Sequence, residues 1–212
     1  MRVLLKKFTM LALLVLFVSA RPAMAATGCD LNNPDRDVQR LFPESTSYKT
    51  VYINIAQRGG ATFLKKIGDR LGNTYLALYA PIDVPYTLYE IYREKKKVGY
   101  IHGVNQKGQF GGIQVFIAQD LNGGIKTFYI QKITGVSAGK FRDPKFARKF
   151  VGLSLKDFDT FDPVQGKGSG KLAEITNPAP DMETDFYGVL RGLKKNLVLM
   201  EAFVFSAEQG RQ

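Results

Sequence analysis

One histidine and one cysteine, His102 and Cys29, are all the imidazole and thiol in this chain of 212 residues. That scarcity limits its chemistry. A structural or catalytic metal site built on His and Cys takes about three or four such ligands, and a Cys–His nucleophile pair would use up both residues. A serine triad would have to recruit His102, which sits within the apolar run KVGYIHGV with no nucleophile elbow beside it. QGKGSGKL has the look of a phosphate loop. However, Gly166 and Gly170 enclose three residues rather than four, and Leu172 stands where a hydroxyl is required. Asp157, Asp159 and Asp162 of DFDTFDP lack the glycine and closing glutamate of a calcium loop and read as a solvated acidic loop. Hydrolytic catalysis has no support.

The stretch that remains is GQFGGIQVFIAQDLNGGIKTFYIQK, from Gly108 to Lys132. Its Asn122-Gly123-Gly124 is a hairpin signal, because the turn positions can take positive φ. The entry, Gln109-Phe110-Gly111-Gly112, is open to two readings. It either holds something flat and phosphorylated, or it merely turns the chain.

The elements that must position this stretch are legible from periodicity. YKTVYINI (Tyr48 to Ile55), YTLYEIYR, KVGYIHGV, GIQVFIAQD and IKTFYIQKI alternate and are rich in β-branched and aromatic residues, which predicts five strands. Asn33, Pro34 and Pro43 bound a short helix. GGATFLKKIGDRLGN predicts a second, stopped at Gly72 and Asn73. Asp143 and Pro144 cap a third in FRDPKFARKFVG. Leu153 to Pro180 shows little periodicity and reads mostly as loop. Met182, Phe186, Leu190, Leu193, Leu197 and Met200 recur at three or four, so the chain closes on a long amphipathic helix whose apolar stripe is core. The expected fold is α+β: an antiparallel meander packed against helices, one domain over residues 48–205 preceded by a segment at 26–47.

MRVLLKKFTMLALLVLFVSARPAMA has the parts of an export signal: Arg2, Lys6 and Lys7, an apolar run from Leu11 to Val18, and Ala23-Met24-Ala25 as cleavage site. The run is shorter than the roughly 20 residues that span a bilayer. Residues 1–25 are therefore expected to be removed, and the body to work at the periplasmic or extracytoplasmic face of a membrane. Ala26-Thr27-Gly28-Cys29 resembles a weak lipobox, which makes Cys29 a candidate lipid anchor. The formal charge is +11; the signal holds four of the positives and no acid, leaving +7 on the body. Such a body is drawn to anionic lipid or acidic partners, and an exported location argues against nucleic acid.

Residues 98–203 resemble the FMN-binding domain of the small flavin-carrying subunits of Rnf complexes and sodium-pumping NADH:quinone reductases. Gln109-Phe110-Gly111-Gly112 matches that family's glycine–aromatic entry, Asn122 to Ile125 its turn, and Phe150-Val151-Gly152 its helix end. The resemblance implies an electron-transfer flavoprotein with a membrane redox complex or quinone reductase subunits as partner. Gly111 and Gly112 would let backbone approach the flavin. Phe110 or Tyr100 would stack on its ring, with His102 and Gly139 nearby, and Thr134, Ser137 or Lys140 would reach its phosphate or ribityl chain. On the other reading, Gly111 and Gly112 form a bend or bulge and Phe110 belongs to the core.

The chain departs from the family at two places. Ile133 replaces the acid of the loop after the second strand. The Ser-Gly-Ala-Thr motif that carries the flavin phosphoester is absent, with Thr176 and Thr184 the nearest hydroxyls. Asp181, Glu183 and Asp185 also fill the start of the last helix, where they stabilise its dipole and would repel a phosphate. Non-covalent FMN is therefore expected. The alternative is a cofactor-free accessory module of the same fold that uses Arg93 to Lys97 as its contact surface. A carrier of small apolar ligands is a third reading, resting only on the aromatic-rich sheet.

Overall fold

A computed structural model describes residues 29–71, 85–162 and 165–206. The predicted leader, its cleavage site and the helix stop at Gly72 and Asn73 lie outside the described residues.

The alternating runs form five strands, β1 (Ser47–Ile53), β2 (Tyr86–Arg93), β3 (Lys96–Gly108), β4 (Gly111–Gln119) and β5 (Ile125–Lys132). They pair in chain order, antiparallel throughout, which is the expected meander. Turn chemistry fixes its corners. Between β4 and β5 the Asp120 carboxylate accepts the N–H groups of Asn122 (2.8 Å) and Gly124 (2.9 Å), and Gly123 takes the left-handed conformation at φ +83°. The glycine entry is itself a corner. Gly108 faces Gly111 across a turn made of Gln109 and Phe110, and Gly111 has φ +134°.

Because strand side chains alternate, the sheet presents two apolar faces. Tyr100, His102, Val104, Ile113, Val115 and Ile117 lie under the C-terminal helix. Tyr89, Ile91, Ile101, Phe116 and Ala118 lie under the N-terminal segment, with Leu31, Val38, Leu41 and Phe42. That segment carries α1 (Pro34–Leu41), whose cap is the one expected: Asn33 Oδ1 accepts from Arg36 N at 3.1 Å, with Pro34 at the first position. Three more helices follow, α2 (Gly60–Leu71), α3 (Pro144–Arg148) and α4 (Leu155–Phe158). The last of these falls within the predicted loop. Ser154 and Asp157 build a capping box there, too local to leave an apolar period.

The closing helix, α5 (Glu183–Met200), buries its predicted stripe and runs on into a π-helical turn, Glu201–Phe205. It approaches the sheet through two glycines four residues apart. A methyl at Gly188 would lie 2.9 Å from Ile113 Cδ1, and one at Gly192 3.0 Å from Val115 Cγ2. Gly192→Val is therefore expected to overpack this seam and cost about 1–3 kcal/mol, read as a lower thermal midpoint. An unchanged midpoint would mean the helix does not sit this close.

Candidate functional site

Strand direction sorts the candidate residues between the two ends of the sheet. β3 finishes, β4 begins and β5 finishes at one end, so the Gln109–Phe110 turn and the loop from Ile133 to Lys140 leave the sheet together. Gln114 faces Lys132, and Gly112 and Thr134 each lie two residues beyond that pair. Phe110 is 63 % exposed, outside the core, and a Cβ added at Gly111, Gly112 or Gly139 would meet nothing within 4 Å. Thr134, Gly139 and Lys140 are exposed and Ser137 half-buried. The structure thus gathers seven of the predicted residues at one end: Phe110, Gly111, Gly112, Thr134, Ser137, Gly139 and Lys140.

Tyr100 and His102 are not among them. Both point into the core beneath α5 and its continuation. Tyr100 is edge-on to Phe205, and His102 lies against Phe203 and Tyr86. His102 is fully buried. The Asn196 amide donates to Val115 O (3.0 Å) and Gly192 O (3.2 Å), so its oxygen faces the ring and His102 Nδ1 carries the proton at 2.8 Å. No described group meets Nε2. Burial pushes the imidazole down to about 4; the Asn196 bond opposes that and the Lys195 charge adds to it. Lys195 is itself buried and pushed down to about 8. Cys29 is buried on the other face, its thiol raised to about 12, first by burial and then by Asp30.

Two further features of the gathered end, the partners of Lys140 in a pocket and the role of Asp185, were not legible in the sequence. Lys140, Asp143, Lys145, Phe146, Lys149 and Pro178 line a pocket of about 290 Å³. The Asp143 carboxylate caps α3, accepting Lys145 N at 2.8 Å, and the three lysines outnumber it in the pocket. Lys149 Nζ donates to Thr176 Oγ1 at 2.8 Å, which brings that hydroxyl to the same place. The spacing of Lys145 and Lys149, four apart around a helix, is the signal that could have found them. Asp185 left no such signal. It is buried at the start of α5, and its Oδ1 accepts Gln109 N at 2.8 Å, clipping the β3–β4 turn to the helix. Of the three acids expected to guard that helix start, one is thus a structural clasp. Asp181 and Glu183 remain exposed.

A second cavity, about 410 Å³, lies away from this end between α2 and the C-terminal helix, lined by Phe63, Ile67, Val198 and Ala202 with Lys66 and Arg70. Among the described residues no group of three His, Cys, Asp or Glu could hold a metal ion, and no helix is long and apolar enough to cross a membrane.

No family model matches the chain, and no curated protein does. Among solved structures the fold is similar to the crystal structure of NqrC from Shewanella oneidensis, with a TM-score of 0.55 at 16 % identity. The match covers 89 % of this chain and 95 % of that one. At that identity the likeness is one of fold.

Proposed function

We propose that this protein is a flavin-binding electron-transfer subunit of a membrane redox complex, holding FMN without a covalent bond at the gathered end of the sheet. It would be exported by its N-terminal signal and act at the outer face of the membrane. The carrying observation is the convergence there of a lysine-lined pocket with an exposed aromatic turn. The fold shared with NqrC and the resemblance of residues 98–203 support the same reading.

The residues present suit such a ligand. Lys140, Lys145 and Lys149 offer three ammonium groups to a phosphate, and charge-assisted hydrogen bonds are the strong ones. Thr134, Ser137 and Thr176 offer hydroxyls to a polyol chain. Backbone at Gly111, Gly112 and Gly139 stands open to close approach. At about 290 Å³ the pocket is smaller than the roughly 300–1,000 Å³ of a whole-ligand site, so it suits the phosphate end, with Phe110 left for the ring. A flavin bound there would supply the electron-transfer chemistry; the chain supplies binding, orientation and the surrounding field.

The folded protein is expected to take up FMN from solution, seen as quenched flavin fluorescence, and to release it on denaturation. Riboflavin, which lacks the phosphate, should bind about 10- to 100-fold more weakly, and Lys145→Gln with Lys149→Gln should erase that preference. A folded protein that takes up neither flavin would sink the reading. Equal affinity for the two would remove the lysine pocket from it. Colour that survives denaturation would point to a covalent bond at Thr176 or Thr184 instead.

A further inference from the structure

The gathered end of the sheet carries two apolar fingertips inside a collar of cations. Phe110 is 63 % exposed at the β3–β4 turn, and Val136 is 100 % exposed at the tip of the following loop. The register places Lys107 opposite Gly112 and Lys132 opposite Gln114, at the bases of the two tips, and Lys140 and Lys145, which line the pocket, lie on the segment that follows the Val136 loop. No acid among the described residues pairs with any of these four ammonium groups. Asp185 is buried against Gln109 N, so Asp143, Asp181 and Glu183 are the exposed acids here, and the four lysines outnumber them.

The opposite end differs in its apolar exposure. Its exposed apolar residues, Leu121 and Val151, are 41 % and 55 % exposed. Two of its lysines are paired, Lys97 with Glu90 at 2.6 Å and Lys126 with Glu44 at 2.9 Å, while Arg93, Lys95 and Lys96 stand exposed at the β2–β3 tip with Glu94 among them. The point where the chain enters the fold also chooses an end. Gln131, next to last in β5, accepts from Asn32 N at 2.8 Å and donates to Asp30 O at 3.0 Å. Residues that precede Cys29 therefore join the body there.

We propose that this end docks on an anionic bilayer surface, Phe110 and Val136 entering the headgroup region while Lys107, Lys132, Lys140 and Lys145 meet lipid phosphates. The proposal does not require a bound flavin. With a flavin at the same end, docking would bring it to the membrane plane.

The chain has no tryptophan, so a single one reports its own surroundings. Phe110→Trp in the full chain, mixed with phosphatidylcholine vesicles containing phosphatidylglycerol, should show a blue-shifted emission shielded from aqueous iodide. Leu121→Trp, at the opposite end, should stay unshifted and quenchable under the same conditions, even where the leader itself inserts. Lys107→Gln and Lys132→Gln in the Phe110→Trp background should each raise the lipid needed about fivefold. Added salt should reverse the shift. The proposal is overturned by an unshifted Trp at 110, by an equal or larger shift at 121, or by a shift that pure phosphatidylcholine reproduces. Vesicle binding is measured without flavin and FMN uptake without vesicles, so either reading can fail alone.

Discussion

Lowering the pH from 6.5 to about 4.5 is expected to destabilise the protein by about 2–3 kcal/mol, with His102 as the cause. In the unfolded chain this imidazole takes up its proton near 6.5; in the folded chain burial holds it down to about 4. Between those values the unfolded state binds a proton that the native state refuses, so stability falls as pH falls. The contribution is complete above 6.5 and fully lost below 4. Glu44 and Glu90, held below the ordinary carboxylate value by Lys126 and by Lys97, act in the same direction but only at lower pH. The window down to about 4.5 therefore belongs to His102. His102→Gln, which can still meet the Asn196 amide, should flatten denaturant stability across that window. Since His102 is the sole histidine, its ring signals can be followed by NMR without assignment. A folded-state titration midpoint near 6.5 would refute the account.

That His102 is a core residue was half legible in the sequence. An isolated histidine in an alternating apolar run reads as a satisfied strand residue. Its partner, Asn196, lies 94 positions away, and no local pattern announces it. The strands, the α1 and α3 caps and the stripe of α5 were readable because each rests on short-range rules: alternation, Asn or Asp before Pro, and a period near 3.6. The site was readable only as separate loops. Gln109 to Gly112 and Thr134 to Lys140 carry their residue types on the surface, but only the β4–β5 register makes them neighbours. Tyr100 lies apart from them for the same reason. It is aromatic and close to the glycine entry in sequence, yet it pairs with Gln119 at the far end of β4. Asp185 was read as a dipole acid because its contact with Gln109 spans 76 residues.

Phe150→Ala should be the most damaging single change considered, costing about 3–5 kcal/mol. Phe150 is fully buried. Its ring is edge-on to Phe128 on β5 at 5.1 Å and to Phe146 on α3 at 5.3 Å, and Phe128 and Phe146 meet at 5.7 Å. This triad fastens the segment from Ala138 to Lys149 onto the edge of the sheet, and that segment carries all three pocket lysines. Removing one ring leaves a cavity under the lysines as well as lost contact area. On the flavin reading, FMN affinity should drop while riboflavin binding changes less, because the phosphate end depends on the displaced groups. Phe150→Leu keeps most of the volume, should cost about 1 kcal/mol, and should leave the preference for FMN in place. It also serves as the readout if the alanine variant does not fold. Should Phe150→Leu lose the phosphate preference at near-normal stability, the lysines would be set by ring geometry and not by filled volume. Should Phe150→Ala keep the preference while losing stability, the lysine-bearing segment would hold its shape without the triad, and the link between this core and the pocket would fall.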